Sequence, residues 1–158
     1  MRKRLLTIAF VMLFSLIAVN MGMAQSDTGD LDVTATVEAT CRIVAVNEVA
    51  FGVYDTTDPA DNDNGVGSIV FQCVQGTTYR TYIDGTREMT GGSSGDTLTF
   101  QLFSDSTRNT QYLSAATGGP STAVDNNDIT STVYGRIQAQ QNVSIDDYST
   151  TLTATVEY

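Results

Sequence analysis

Some residue types are scarce or missing in this sequence of 158 residues: it has no histidine and no tryptophan, and Lys3 is its only lysine. Without histidine there is no imidazole to activate a serine or cysteine nucleophile or to bind a metal ion. Eight residues are basic and 18 are acidic, which gives a net charge of −10. A chain this acidic repels the phosphates of nucleic acids and the headgroups of anionic lipids, so no nucleic acid partner is expected.

The first 24 residues are typical of a secretory signal peptide. Basic residues at positions 2–4 precede an apolar run at 5–19, and small residues before Gln25 predict cleavage after Ala24. A single membrane anchor is the alternative, but a run of about 15 residues is short for a bilayer span. We therefore expect an exported mature chain that begins at Gln25 and has a charge of 5 − 18 = −13.

The chain has two cysteines, Cys41 and Cys73. Two cysteines in an exported protein most simply form one disulfide. Their separation of 32 positions is not the C-x-x-C spacing of a redox site. A structural crosslink is therefore expected, and on a chain-entropy model it adds about 3 to 4 kcal/mol of stability.

Apolar residues of the mature chain alternate at period two, and Gly, Asn, Asp and Ser cluster between the runs. No stretch of the mature sequence has a helical period. The candidate strands are LDVTATVE, CRIVAV, VAFGVY, SIVFQC, TYRTYID, LTFQLFS, TQYLS, STVYGRIQAQ and TLTATVEY. Short antiparallel strands in this number, with one disulfide, predict an immunoglobulin-like β-sandwich.

The pentamer TATVE occurs twice, at residues 34–38 and 153–157. Each copy belongs to an alternating segment with one apolar face, which predicts a strand with one buried side. The apolar residues are Leu31, Val33, Ala35 and Val37 in the first segment and Leu152, Ala154, Val156 and Tyr158 in the second. The identical letters could be chance in a chain rich in Thr and Val, but the shared pattern does not depend on them.

The first of these segments lies in an N-terminal arm, residues 25–40, that has no obvious partner in its own domain. Residues 38–40 contain no turn residue, so the chain runs straight on into the strand that begins at Cys41. Cys41, Ile43 and Ala45 keep the parity of the apolar arm residues. A strand from 31 to 45 would be about 50 Å long, so we expect half of it to overhang the domain and to be covered by another chain.

Several short elements follow one another along the mature chain: GDLDVTATVEATC at 29–41, F-G-x-Y-D at 51–55, a cysteine strand at 69–73, G-T-x-Y at 76–79, D-G and R-x-M at 84–89, LTFQLFSD at 98–105, Y-G-R-I at 134–137, and Y-x-x-T-x-x-x-T-V-x-Y at 148–158. In their order and spacing they resemble the archaic chaperone-usher pilins that carry a spore coat protein U domain. The resemblance covers essentially the whole mature chain. One departure is that the turn before Tyr148 reads Asp-Asp where a glycine is common.

The resemblance implies an all-β fold, an incomplete immunoglobulin-like β-sandwich that is completed by donor-strand exchange. It divides the chain into a signal peptide (1–24), an N-terminal donor strand (25–40) and a spore coat U type pilin domain (41–158). The donor residues are Leu31, Val33, Ala35 and Val37. The edge of the acceptor groove is formed by Ile43, Leu152, Ala154, Val156 and Tyr158.

The function implied by the resemblance is that of a structural subunit of an extracellular chaperone-usher pilus, a fibre for adhesion or biofilm formation. The implied partners are neighbouring pilin subunits in a head-to-tail filament, a periplasmic chaperone and an outer-membrane usher. The subunit is expected to pass through the periplasm to a pilus on the cell surface. It needs no cofactor or metal. A minor tip adaptor or a carbohydrate-binding adhesin is the alternative.

Paired carboxylates suggest a second alternative, an enzyme. Asp146 and Asp147, or Asp61 and Asp63, could act as acid and base in a hydrolase. Both pairs lie in turn-like segments, where aspartate is favoured because it bonds to the local backbone. The chain is therefore not expected to be an enzyme.

The segment DPADNDNG, at residues 58–65, suggests calcium binding as a third alternative. Aligning Gly65 with the invariant glycine of a calcium-binding loop puts Ala60 at the first ligand position and Phe71 at the last. These positions require Asp and Glu, so no metal site is expected.

Overall fold

The computed structural model describes residues 25–158, and the expected signal peptide lies outside the described residues. All the regular structure in this part of the chain is β, which confirms the predicted all-β class. The described strands, in chain order, are β1 (Cys41–Ala50), β2 (Val66–Cys73), β3 (Thr78–Asp84), β4 (Glu88–Gly91), β5 (Thr97–Thr99), β6 (Gln101–Phe103), β7 (Ser121–Thr122), β8 (Asp128–Arg136), β9 (Tyr148–Ser149) and β10 (Thr153–Glu157). Residues 25–158 contain no helix of the length and hydrophobicity that a membrane span requires.

The strands form three antiparallel sheets. One sheet has four strands in the order β1-β2-β8-β6, and the others have the orders β10-β3-β7 and β5-β4-β9. β9 pairs with β4, and β10 pairs with β3. Residues 148–157 therefore run along β4 and then β3 as one edge strand that is interrupted between β9 and β10.

The hydrophobic core is shared between the four-stranded sheet and β3. Phe71 of β2 is fully buried and packs edge-on against Tyr79 of β3, with ring centroids 5.0 Å apart. The hydroxyl of Tyr112 donates to the hydroxyl of Thr81 in β3 and lies 2.7 Å from that of Ser131 in β8. Side chains from two sheets thus meet in one interior, as in a β-sandwich.

The predicted strands agree with the structure where the alternation is long. TYRTYID coincides with β3, and three other predictions overlap β2, β8 and β10. The prediction for the end of VAFGVY is wrong, because these residues form no strand, and of TQYLS only Gln111 pairs, in an isolated antiparallel bridge with Phe103. The short strands β4, β7 and β9 lie in segments that the sequence assigned to turns.

The predicted disulfide between Cys41 and Cys73 is confirmed. The two residues lie directly opposite each other, at the start of β1 and the end of β2. Next to them, the carbonyl of Thr40 accepts a hydrogen bond of 3.0 Å from the amide of Val74. The crosslink therefore lies at the residue where the arm ends and the first strand begins.

A bulge in β1 changes which of its side chains face the core. The register against β2 shifts after Ile43, with Val44 as the extra residue. Ala45 consequently lies opposite a partly exposed residue of β2, and Val46 lies opposite the buried Ile69. The expectation that Ala45 keeps the inward parity of Ile43 is wrong, because one extra residue moves the following side chains to the other face.

The chain divides into two units, Met1–Ala35 and Thr36–Tyr158. The arm belongs partly to each of them. Its residues, 25–40, form no strand and are all exposed, including the four alternating apolar side chains at 31–37. The strand that the sequence predicts over 31–38 is therefore not formed in this single chain.

Candidate binding groove

A groove of about 1020 Å³ opens along the side of the domain that is bordered by the end of β1 and by the segment leading into β10. Its first wall is formed by residues 46–56, the end of β1 and the segment after it. Its second wall is formed by residues 143–152 and Ala154. Within the described chain, β1 and β10 are each paired on one side only. The end of β1 and the start of β10 therefore offer free backbone donors and acceptors to a further strand.

The floor of the groove is the hydrophobic core itself. The residues that form it come from β2, β3, β4, β5, β6 and β8 and from the segments beside them. They are Ile69, Ile83, Met89, Leu98, Phe100, Leu102, Val133 and Ile137. All except Met89 are buried. An apolar occupant of the groove would thus add to an existing core.

Two side chains on the core-facing side of β1 lack cover. Ile43 is 44 % exposed although Phe71, directly opposite it on β2, is 0 % exposed. Val46 is 58 % exposed and lies opposite Ile69, which is 1 % exposed. Opposed residues of an antiparallel pair point to the same face, so the difference arises because nothing in the domain packs over β1 on that face.

The residues predicted for the groove edge lie at different places. Leu152 and Ala154 line the groove. Val156 is half-buried further along β10 and packs against the core. Tyr158 follows the end of β10 and is exposed, and Ile43 lies on β1 before the residues that form the first wall.

The family of this domain follows from its sequence. The model of the spore coat protein U domain matches residues 27–155, which include most of the arm. This chain belongs to the spore coat protein U domain family. A comparison of the sequence with curated proteins found no match.

One solved structure similar to this spore coat U domain is the chaperone-tip adhesion subunit pre-assembly complex CsuC-CsuE from the archaic chaperone-usher Csu pili of Acinetobacter baumannii. The identity is 20 % and the TM-score is 0.44. The match covers 78 % of this chain and 40 % of that chain, so this chain spans less than half of the length of that relative.

The F-G motif shapes the first wall of the spore coat U domain. The ring of Phe51 lies over Gly65 and Gly135, and a Cβ atom at either glycine would come within 2.5 Å of that ring. Gly52 has a φ of +68°, a left-handed conformation that ends the extended chain. The phenylalanine of the F-G motif therefore packs against the glycine of the Y-G-R-I motif.

The Y-D part of the same motif holds the first wall in place. The hydroxyl of Tyr54 donates to the carbonyl of Gln138 at 2.7 Å and accepts from the amide of Gln141 at 2.9 Å. Asp55 accepts hydrogen bonds from the hydroxyl and the amide of Thr57 at 2.7 and 2.8 Å. These bonds lower the pKa of Asp55, so the carboxylate stays charged and keeps the turn closed.

The acidic pair considered for catalysis and for calcium is engaged by arginine. Arg136 donates two hydrogen bonds to the carboxylate of Asp63, at 2.7 and 2.8 Å, and lies 3.4 Å from Asp61. Arg108 lies 3.3 Å from the same Asp63 carboxylate. The hydrogen bond from Arg136 lowers the pKa of Asp63. Within residues 25–158, no group of three or more His, Cys, Asp or Glu side chains is arranged to hold a metal ion.

The second wall is fastened by two aspartates. Asp146 accepts hydrogen bonds from the amides of Ser94 and Ser93, at 2.6 and 2.7 Å, and these bonds lower its pKa to about 2. Asp96 accepts a hydrogen bond of 2.8 Å from the amide of Ser144, and its pKa is also lowered by Ser144. The carboxylate of Asp146 therefore ties the second wall to the turn between β4 and β5.

Sequence reasoning missed most of both walls. Residues 142–149, NVSIDDYS, read as a polar turn, although Val143 and Tyr148 pack against the core. The sequence pattern of this segment is weak, since one apolar residue on each side of an acidic pair does not predict a strand at the edge of a sheet. The first wall contains the F-G-x-Y-D motif, which the sequence analysis noted as part of the family resemblance. The motif did not indicate that these residues border a groove.

Proposed function

We propose that this spore coat U domain protein is a structural subunit of an extracellular chaperone-usher pilus. In this proposal residues 25–40 are the donor strand and residues 41–158 are the acceptor domain. The arm of one copy fills the groove of the next copy. The observation that supports it most is the groove between two unpaired strand edges, in a chain that also has an exposed alternating apolar arm.

The groove and the arm have matching chemistry. The floor is apolar, and the arm has apolar side chains at every second position from 31 to 37. A strand inserted between β1 and β10 bonds to both free edges and covers Ile43 and Val46. The groove therefore suits an extended apolar strand better than a compact polar ligand.

The free energy of the joint depends on both partners. Burying Leu31, Val33 and Val37 contributes about 5 to 9 kcal/mol, at about 1.5 to 3 kcal/mol for each. Ordering the arm costs about 1 to 2 kcal/mol per residue. The arm alone gains little, so most of the stability of the joint comes from completing the core of the acceptor.

The same geometry accounts for the proposed assembly route. Arm and groove are different surfaces, so the contact is head-to-tail and extends into a filament. A subunit with an empty groove exposes two strand edges and apolar surface, which promote aggregation. A periplasmic chaperone covers the groove, and an outer-membrane usher exchanges it for the next arm. This role requires no catalytic residue, cofactor or metal.

A fibre gel tests the proposal. Fibres sheared from cells are run with and without boiling, and we expect a ladder in the unheated sample that collapses to monomer on heating. A chain with Val33→Asp should accept an arm but donate none, so its co-expression with the wild type should shorten the ladder. Thr34→Asp, on the polar face of the arm, is the matched control and should leave the ladder unchanged. Unheated wild-type samples that contain monomer alone would contradict the proposal.

A further inference from the structure

We propose that the disulfide between Cys41 and Cys73 is a mechanical anchor that transfers tension from the arm to β2. The proposal rests on the proposed function, because the arm is under tension only when it holds neighbouring subunits together. Its structural basis is the position of the crosslink: the first residue after the arm is covalently bound to the last residue of β2.

The two strands at this crosslink differ in how firmly they are held. β1 is an edge strand, and its register against β2 is interrupted after Ile43 and again after Asn47. β2 lies between β1 and β8 and carries the fully buried Phe71. Without the crosslink, a pull on Thr40 would peel β1 away from its first residue, one hydrogen bond after another. With it, the pull acts on a strand that is held on both sides.

In the proposed fibre, β1 also contributes to the groove that binds the next arm. Its end forms part of the first wall, and Ile43 and Val46 lie on the face that the next arm covers. Peeling β1 would therefore open the groove that holds the next arm. Detachment of β1 from β2 would thus weaken both the joint formed by the subunit's own arm and the joint formed in its groove. A crosslink at the first residue of β1 protects both joints.

The position of the crosslink distinguishes this role from ordinary stabilisation. A disulfide further along the same pair of strands restricts the unfolded chain by a similar amount. However, it leaves the residues before it free to peel under load. A mechanical anchor must lie at the start of β1, whereas a purely stabilising crosslink works at either place.

Two residue pairs of the same ladder allow a matched test. Arg42 lies opposite Gln72, next to the native crosslink, and the two side chains are hydrogen-bonded. Asn47 lies opposite Ser68, further along, and their side chains are joined by a hydrogen bond of 2.8 Å. Each pair can be replaced by two cysteines in a chain with Cys41→Ser and Cys73→Ser.

The experiment stretches single fibres of the wild type and of the two variants in an atomic force microscope. Formation of each disulfide is first verified by mass spectrometry, and the thermal midpoints of the two variants should be similar. We expect the Arg42→Cys, Gln72→Cys fibres to extend like the wild type. Fibres with Asn47→Cys and Ser68→Cys should lengthen at lower force than the wild type, because residues 41–46 can detach from β2 before the crosslink bears the load.

The outcomes separate the two proposals. Fibres with the distant crosslink that extend like the wild type would overturn the anchor, and so would additional lengthening in both variants. If wild-type fibres show no heat-sensitive ladder, the proposed function fails instead. The variant without any disulfide should lengthen most. If that variant does not fold, the comparison of the two variants with repositioned crosslinks still tests the anchor proposal.

Discussion

Residues 34–38 and 153–157 have the same sequence, TATVE, but only the second copy is a strand. The second copy is β10, which pairs with β3 over its whole length and has a half-buried centre. The first copy forms no strand and is exposed throughout. Because the side chains are identical, intrinsic propensity cannot explain the difference. The comparison shows that a partner strand, more than the local sequence, makes these five residues a strand.

The largest expected effect comes from introducing the same charge into both copies. Val156→Asp puts a carboxylate against the core and should lower the stability of the monomer by about 2 kcal/mol or more. Val37→Asp should leave the monomer unchanged and abolish the fibre ladder, because in the proposed fibre that side chain is buried only in the joint. Thermal unfolding and the fibre gel measure the two effects.

Thr36→Asp, on the polar face of the arm, is the control for this pair and should affect neither readout. A monomer that loses stability with Val37→Asp would show that the first copy packs within its own chain. In that case both TATVE copies would be packed within the same chain, and a missing partner strand would not distinguish them.

A smaller effect is expected from reshaping the first wall of the groove. Gly135→Ala would place a Cβ atom 2.5 Å from the ring of Phe51 and 2.9 Å from a methyl group of Val49. We expect a loss of about 1 to 3 kcal/mol in the free energy of unfolding, and weaker fibres as the wall shifts. Gly119→Ala is the control, because no atom lies within 4 Å of the added carbon. An equal loss in both variants would contradict the packing of Phe51 on Gly135.

Acid should destabilise the domain through the second wall of the groove. The pKa of Asp146 is lowered from 3.8 to about 2 by hydrogen bonds from Ser94 and Ser93. A group with a lowered folded-state pKa stabilises the protein fully above its unfolded value, and this contribution is lost as the pH falls through the folded value. The thermal midpoint of the wild type should therefore fall between about pH 4 and pH 2 more than that of Asp146→Asn. Parallel curves for the two proteins would show that the amide bonds of Asp146 contribute no stability.

The smallest effect is expected from the glutamate that ends each copy. Glu157 lies 3.7 Å from Arg80 in an exposed pair, so Glu157→Gln should cost less than about 0.5 kcal/mol. Glu38→Gln, in the arm, should leave the stability of the monomer unchanged. Denaturant unfolding of both variants measures the difference. A larger loss for Glu38→Gln would reverse the comparison at this position.

The sequence predicts most of the long elements but little of the groove. β3 and β10 were found because their alternation is long and because each has turn residues beside it. β4 and β9 were missed, since strands of four and two residues depend on their neighbours. The inward position of Val46 depends on the bulge at Val44, which no pattern of side chains reveals. The second wall is polar in sequence. It becomes part of the groove only through contacts with residues 93–96, which are distant in sequence.

Each of the five arginines in residues 25–158 donates to a neighbouring group of the same chain. Residues 25–158 contain 18 acidic residues and no other basic side chain, so their net charge is 5 − 18 = −13. The proposed filament of these subunits would be a polyanionic rod. Rods of this kind stay separate in dilute salt and approach one another side by side once added ions shorten the Debye length below about 10 Å. Salt and multivalent cations would thus control whether these fibres form bundles.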